Sequence, residues 1–133
     1  MGSLKERLQR ARKALASFQE LAGKSRRSAV ERDAAIKRFE LAFETAWEAA
    51  QAEVQRTGRG PAGSPASCIR ASREDELLSD KDAEAALAML NDRNIAVQAY
   101  AEPFAKQVDR RLAPHALLLA RWLSALEKRA KAS

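Results

Sequence analysis

Positions 36–54 read IKRFELAFETAWEAAQAEV, and this stretch decides the fold class. Its apolar residues recur every three to four positions, which is the spacing of one face of an α-helix. They are Ile36, Phe39, Phe43, Trp47, Ala50 and Val54. We predict a helix from about Ala29 to Thr57, ended by Gly58, with this face in the core.

The same spacing occurs before this stretch. It predicts a first amphipathic helix from about Leu4 to Leu21, closed by Gly23. The residues on its apolar face are Leu4, Leu8, Ala11, Leu15, Phe18 and Ala22. A short polar turn at 24–28 separates the two helices, which favours an antiparallel pair.

Turn and capping signals divide the chain after the second helix. The main loop lies near 58–64, where three glycines and a proline stand close together. Ser64 followed by Pro65 is typical of an N-cap and a first helical residue, and it predicts a short helix to about Asp75. Ser79, which precedes two acidic residues, predicts the start of a fourth helix.

The fourth helix has an apolar face with one polar member. Its residues are Ala83, Leu87, Leu90, Asn94, Val97 and Ala101. We expect this face to form a buried seam, in which Asn94 sets the helix register or contacts a site. Pro103 lacks an amide donor and disfavours helical geometry before it, so we predict a break just after Tyr100.

Apolar spacing resumes after this break and predicts the end of the fold. Phe104, Val108 and Leu112 continue the stripe, and Pro114 marks a second joint. The last helix is predicted from His115, Leu119, Trp122 and Leu126. We interpret the lone His115 as a packed or edge histidine rather than a catalytic one.

The composition agrees with an all-helical protein. At 133 residues, with 5% aromatic residues and few glycines and prolines, we expect one domain over 1–133: an all-α, antiparallel up-down helical bundle of four long helices plus one or two short ones. No apolar run approaches ~20 residues and the N-terminus lacks a signal-peptide core, so no membrane association is expected. The single Cys68 excludes an internal disulfide and fits a cytoplasmic setting, and we expect no metal or cofactor.

The positive charge is unevenly distributed. The formal net charge is +6; residues 1–32 hold nine basic and three acidic residues, whereas 33–133 hold fifteen of each sign. The whole excess therefore lies on the first helix and the turn after it. Such a patch could attract an RNA backbone or an acidic partner, and it could equally be solubilising surface.

A polar strip runs beside the apolar seam of the fourth helix. On an ideal helix Arg93 and Tyr100 fall on nearly the same side, with Asn94 and Gln98 one turn apart between them. Polar groups beside a core cost free energy unless they find partners. From the pattern alone, this strip is a satisfied polar network between helices, a solvated edge or a functional site.

The sequence of residues 32–47, RDAAIKRFELAFETAW, resembles the second helix of the HepT-like HEPN proteins, formerly called nucleotidyltransferase substrate-binding proteins. Ser64-Pro65, Leu77-Leu78 and the sequence MLNDRN at 89–94 continue the match in the same order, over roughly 30–126. The resemblance implies a HEPN-like bundle. It also implies a metal-independent ribonuclease toxin that acts as a homodimer on RNA, with a cognate nucleotidyltransferase (MNT-type) antitoxin.

The family signature is Arg, four residues, His, one residue, Tyr. Here Arg93 and Tyr100 occupy the first and last positions, and Gln98 stands at the histidine position. The resemblance implies that Arg93, the residue at position 98 and Asn94 form the catalytic site, with Asp33 orienting it from the second helix. It also implies that the antitoxin attaches AMP to Tyr100 and so silences the toxin.

The residue at position 98 determines whether this chemistry can proceed. Histidine titrates near pH ~6.5 and can take or give a proton, whereas the amide of Gln98 exchanges no proton usefully near neutral pH. We therefore expect this chain to fold and dimerise like a toxin but to cleave RNA poorly or not at all. An engineered and a natural exchange both fit the sequence. The alternatives are a non-catalytic substrate-binding subunit of a nucleotidyltransferase and a generic RNA-binding domain that uses the first helix.

Overall fold

The computed structural model describes residues 3–58, 60–98 and 102–132, except the side chain of Gln98. Within these ranges the chain forms six helices and no strand. They are α1 (Leu4–Ala22), α2 (Ala29–Thr57), α3 (Pro65–Glu74), α4 (Asp80–Gln98), α5 (Glu102–Asp109) and α6 (Leu112–Ala132). Four helices are long and two are short, which confirms the all-α class predicted from the sequence.

Local signals set the helix boundaries. The Ser28 hydroxyl accepts a hydrogen bond from the Glu31 amide while the Glu31 carboxylate accepts one from the Ser28 amide, so both ends of a capping box are formed. Ser64 caps α3 and Pro65 follows it, as predicted. Gly58 ends α2 with a φ of 68°, a left-handed conformation that favours glycine.

Arginine contacts show that α1 and α2 are antiparallel. Arg7 near the start of α1 donates to the Glu48 carbonyl oxygen at 2.8 Å, and Arg38 donates to the Ser17 carbonyl oxygen at 2.9 Å. Residue numbers therefore rise along one helix as they fall along the other.

Further pairs place α6 against the rest of the bundle. Arg12 of α1 donates to Glu127 of α6, and Arg121 of α6 donates to both carboxylate oxygens of Asp82 in α4. Arg111, just before α6, pairs with Asp92 near the end of α4, whereas Arg121 pairs with Asp82 near its start, so these two helices are also antiparallel.

The core follows the predicted faces of α1, α2 and α6. Phe39 is fully buried in α2, with ring centroids 5.7 Å from Phe18 and 6.5 Å from Phe43. Trp122 of α6 is also fully buried. The predicted core members of the first two helices that are only partly buried are Leu4, Ile36 and Trp47, which pack against the cluster.

The predicted seam of α4 is wrong beyond its first turns. The buried residues of this helix are Ala83, Ala86, Met89 and Asp92. Asn94 and Val97, expected in the seam, are exposed, and Ala101 lies outside the described residues. The reason is the length of α3. Its ten residues span only ~15 Å, so α3 covers the side of α4 near Leu87 but does not reach the same side one and two turns past Leu90.

The structure also differs from the predictions for Phe104 and for the start of the last helix. Phe104, expected in the continued stripe, is 48% exposed on α5, whereas Val108 and Leu112 are fully buried as expected. The last helix begins at Leu112, so Pro114 lies in its first turn, where an amide donor has no intrahelical partner to lose. The predicted break after Tyr100 falls outside the described residues.

None of the described helices is long and apolar enough to span a membrane.

Candidate functional site

Arg93 lies at the contact between α4 and α2. Its guanidinium carbon is 5.5 Å from the centroid of the buried Phe43 ring, a cation–π arrangement. One terminal nitrogen lies 3.9 Å from a carboxylate oxygen of Glu44, a long and weak ion pair. The side chain is 23% exposed, and its Nε is buried with no hydrogen-bond partner. Arg93 is thus held in place while part of its hydrogen-bonding capacity is unused.

A shallow groove of about 380 Å³ opens beside this guanidinium. Its walls come from two helices: Lys37, Glu40, Leu41 and Glu44 of α2, and Arg93 and Val97 of α4. Leu41 is 57% exposed and Val97 is 51% exposed, so two large apolar side chains face solvent next to a cation. A guanidinium in this setting can donate paired hydrogen bonds to a phosphate.

The other residues predicted for the site fall in different places. Gln98 is the last described residue of α4, five positions after Arg93, and Tyr100 lies outside the described residues. Asn94 and Asp33 are exposed on α4 and α2. The structure therefore brings Arg93 together with Phe43 and Glu44, neither of which was predicted as a site residue.

A second polar cluster lies directly behind Arg93. Asp92 is buried, accepts two hydrogen bonds from Arg111 at 2.7 and 2.8 Å, and lies 2.7 Å from Nε2 of His115. We call Asp92, Arg111 and His115 the Asp92 clamp. The His115 ring stacks on Phe39 with centroids 5.2 Å apart. His115 is therefore a packed histidine, as the sequence suggested, whereas Asp92 and Arg111 were not foreseen.

Burial and hydrogen bonding fix the charge states within the clamp. Burial lowers the pKa of His115 below its ordinary value, although the neighbouring Asp92 carboxylate opposes this effect. Burial alone would raise the pKa of Asp92, but the hydrogen bonds from Arg111 and His115 outweigh it and lower that pKa. Both lowered pKa values agree with a neutral His115 imidazole that donates Nε2–H to an ionised Asp92 carboxylate.

Arg32, the neighbour of Asp33, is the second arginine with a buried and unpartnered Nε in the described chain. It contacts Glu102 of α5 at 3.5 Å, and Glu102 also pairs with Lys106. These two neighbouring charged residues thus have different surroundings: Arg32 faces α5 and Asp33 faces solvent.

Several basic residues of the first 32 positions have structural partners. Arg27 donates to the carbonyl oxygens of Leu21 and Ala22 at the end of α1, and its Nε lies 2.6 Å from Asp109. Arg7 and Arg12 are bound to α2 and α6 as described above. The residues left exposed are Lys5, Arg10, Lys13, Lys24 and Arg26, so a positive surface remains but is smaller than the sequence count indicates.

No group of three or more His, Cys, Asp or Glu side chains in the described ranges is arranged to hold a metal ion. Cys68 is buried, and desolvation raises the pKa of its thiol to about 12, so the thiol is not reactive.

The chain matches a known protein family and a related solved structure. The family model for nucleotidyltransferase substrate binding protein-like sequences matches residues 6–130. A protein from Thermus thermophilus, known from its crystal structure, is 45% identical; the match covers 87% of this chain and 98% of that one, with a TM-score of 0.83. No curated protein sequence matches the chain.

A second solved structure has the same fold at low sequence identity. The tri-AMPylated HEPN toxin of Shewanella oneidensis, in complex with an MNT antitoxin, is 15% identical over 96% of this chain and 99% of that one, with a TM-score of 0.78. At this identity the likeness shows the fold alone, and it confirms the HEPN-like bundle expected from the sequence. The chain thus belongs to the nucleotidyltransferase substrate-binding-like, or HepT-like, family and has the fold of the HEPN toxins.

Proposed function

We propose that this chain is the ribonuclease toxin of a HEPN/MNT toxin–antitoxin pair, in a form whose catalysis is impaired by Gln98. In the reaction, a base removes the proton of a ribose 2′-hydroxyl, and the 2′-oxygen attacks the adjacent phosphorus. The bond to the 5′-oxygen breaks, and an acid protonates that leaving oxygen. No metal is needed when two side chains handle the protons and a cation offsets the charge on the phosphate.

The setting of Arg93 is the observation that carries this proposal. Its guanidinium lies over Phe43 and borders a groove open to solvent. A cation held this way stabilises the charge that grows on the phosphate without moving during the reaction. Arg93 is the phosphate-binding group in this proposal and position 98 is the proton-transfer position. Asn94 and Asp33 are the remaining candidate site residues.

A homodimer would complete the site. Residues five positions apart lie ~140° apart around a helix, so Arg93 and the residue at position 98 of one copy are aimed differently. Pairing two copies about a twofold axis would bring the arginine of one to the position-98 side chain of the other. The exposed Leu41 and Val97 beside Arg93 supply the apolar surface that such an interface needs.

Charged substitutions in this patch are expected to separate the dimer. Leu41→Glu combined with Val97→Glu would place two carboxylates in the apolar contact, so the protein should sediment as a monomer while its helical circular dichroism is unchanged. Leu117→Glu is the matched control, because Leu117 is 63% exposed on α6 and lies outside the groove. A parent protein that is already monomeric, or a double variant that stays dimeric, would remove the composite site from the proposal.

Tyr100 is the proposed acceptor of AMP. The Shewanella toxin is described as tri-AMPylated in complex with its MNT antitoxin, which supports a nucleotidyltransferase as the partner of this chain. We expect the cognate enzyme to add AMP from ATP to the parent protein and not to the Tyr100→Phe variant. Tyr100 is the only tyrosine of the chain, so intact-mass measurement of both proteins gives a clear answer. Equal labelling of the variant would show that the acceptor lies elsewhere.

A second candidate function is a non-catalytic subunit that presents substrate to a nucleotidyltransferase. Gln98 favours it, because a native glutamine at the proton-transfer position would leave binding as the remaining role. The description of the matching family model is also consistent with this role. The two candidates differ in what histidine at position 98 does: it creates a ribonuclease in the first and changes nothing in the second.

A further inference from the structure

Two consecutive residues of α4 are held by two different helices. Asp92 faces α6, where Arg111 and His115 bind its carboxylate. Arg93 faces α2, where its guanidinium lies over Phe43. Because adjacent residues are ~100° apart on a helix, a rotation of α4 that loosens one contact also moves the other.

A series of side-chain contacts through α2 also connects the Asp92 clamp to Arg93. The clamp residue His115 stacks on Phe39 at 5.2 Å, and Phe39 packs against Phe43 at 6.5 Å. Phe43 is the ring beneath Arg93. The clamp therefore supports Arg93 from two directions, through the backbone of α4 and through the two phenylalanines of α2.

The Asp92 clamp also lies in a part of α4 that has few buried side chains. Past Leu90, Asn94 and Val97 are exposed, whereas Ile95 is partly buried against the core. Asp92 is the last buried residue in the described part of α4. The Asp92 carboxylate and the partly buried Ile95 are therefore the two side chains that anchor the turn carrying Arg93 to the rest of the bundle.

We propose that Asp92 is a positioning residue for Arg93: its bonds to Arg111 and His115 fix the rotation of α4 and thereby hold the guanidinium ready for an RNA phosphate. This inference rests on the proposed function for its ligand. The positioning itself is a property of the protein without RNA.

The chain contains a matched control for this proposal. Asp82 and Arg121 also join α4 to α6 through two hydrogen bonds, at 3.0 and 3.1 Å. This pair lies at the opposite end of α4, ten residues from Asp92, and contacts no part of the groove. Asp82→Asn therefore changes the same kind of ion pair without changing the support of Arg93.

The first test observes Arg93 directly, without RNA. In nitrogen-15 NMR spectra the Nε–H signal of Arg93 is identified by its loss in the Arg93→Ala variant. We expect Asp92→Asn to shift or broaden this signal and Asp82→Asn to leave it unchanged. Arg111→Gln alters the clamp from its exposed end and carries the same test if Asp92→Asn does not fold. An Arg93 signal that is unchanged in a folded clamp variant would overturn the proposal.

The second test measures binding of a short fluorescent single-stranded RNA to the Gln98 protein, which we expect to cleave it poorly or not at all. Arg93→Ala should weaken binding by about 10-fold or more, as expected for loss of a charge-assisted contact. Asp92→Asn should weaken binding several-fold in the parent and by less than about two-fold when Arg93 is already alanine, since coupled residues are not additive. Equal losses in both backgrounds would show that Asp92 does not act through Arg93. If the parent binds no RNA, the proposed function fails while the NMR test still decides the positioning.

Discussion

Replacing Gln98 by histidine is expected to raise the rate of RNA cleavage by about 10²–10⁴-fold, the usual contribution of general acid–base catalysis. The imidazole would supply a group that titrates near neutral pH beside a phosphate held by Arg93. The measurement is cleavage of a labelled single-stranded RNA under multiple turnover, with and without a chelator. Cleavage should persist with the chelator, because the proposed chemistry uses no metal.

The controls for this experiment isolate the proton-transfer role. Gln98→Ala should cleave no faster than the parent, since it removes a side chain without adding a titratable one. The rate of the histidine variant should change with pH near neutrality, where an imidazole titrates, whereas the parent should show no such dependence. A folded, dimeric histidine variant that leaves RNA intact would overturn the assignment of position 98 and favour the non-catalytic subunit.

The second large effect concerns Arg93. In the Gln98→His protein, Arg93→Ala is expected to lower cleavage by about 10²–10³-fold, comparable to the loss of one donor that stabilises a transition-state oxyanion. Arg93→Lys should recover only part of this rate, because an ammonium keeps the charge but cannot form the planar pair of hydrogen bonds. Steady-state kinetics would show the loss mainly in kcat if the contact strengthens in the transition state.

Stability measurements separate this catalytic loss from unfolding. Arg93 contributes a cation–π contact worth about 0.5–1 kcal/mol at a partly exposed site, so the alanine variant should remain folded. Arg121→Ala is the matched arginine control, because Arg121 pairs with Asp82 of the same helix away from the groove. Similar cleavage losses in both variants would argue against a specific role for Arg93.

The helices could be predicted from sequence because their signals are local. The apolar spacing from Ile36 to Val54 and the serine caps at Ser28 and Ser64 depend only on neighbouring residues. The boundaries of α2 agree with the prediction, and α1 extends one residue further than predicted. The family resemblance, carried by residues in the same order along the chain, then indicated how the helices pack.

The clamp and the Arg93 contacts could not be predicted because they join distant parts of the chain. Asp92 lies 19 positions before Arg111 and 23 before His115, and no local spacing indicates that these three meet. The apolar spacing predicted Asn94 in the buried seam of α4. That prediction assumes that the same neighbouring helix covers α4 along its whole length. The short α3 breaks that assumption, and Asp92 takes the buried polar position instead.

The location of His115 has a practical consequence for experiments on this molecule. It is the only histidine of the chain, and it is enclosed between Phe39 and the Asp92 carboxylate. A reagent or spectrum that reports on accessible imidazoles should therefore give almost no background. A new signal that appears when a histidine is introduced at the groove can therefore be assigned to that histidine directly, without isotope editing or further substitutions.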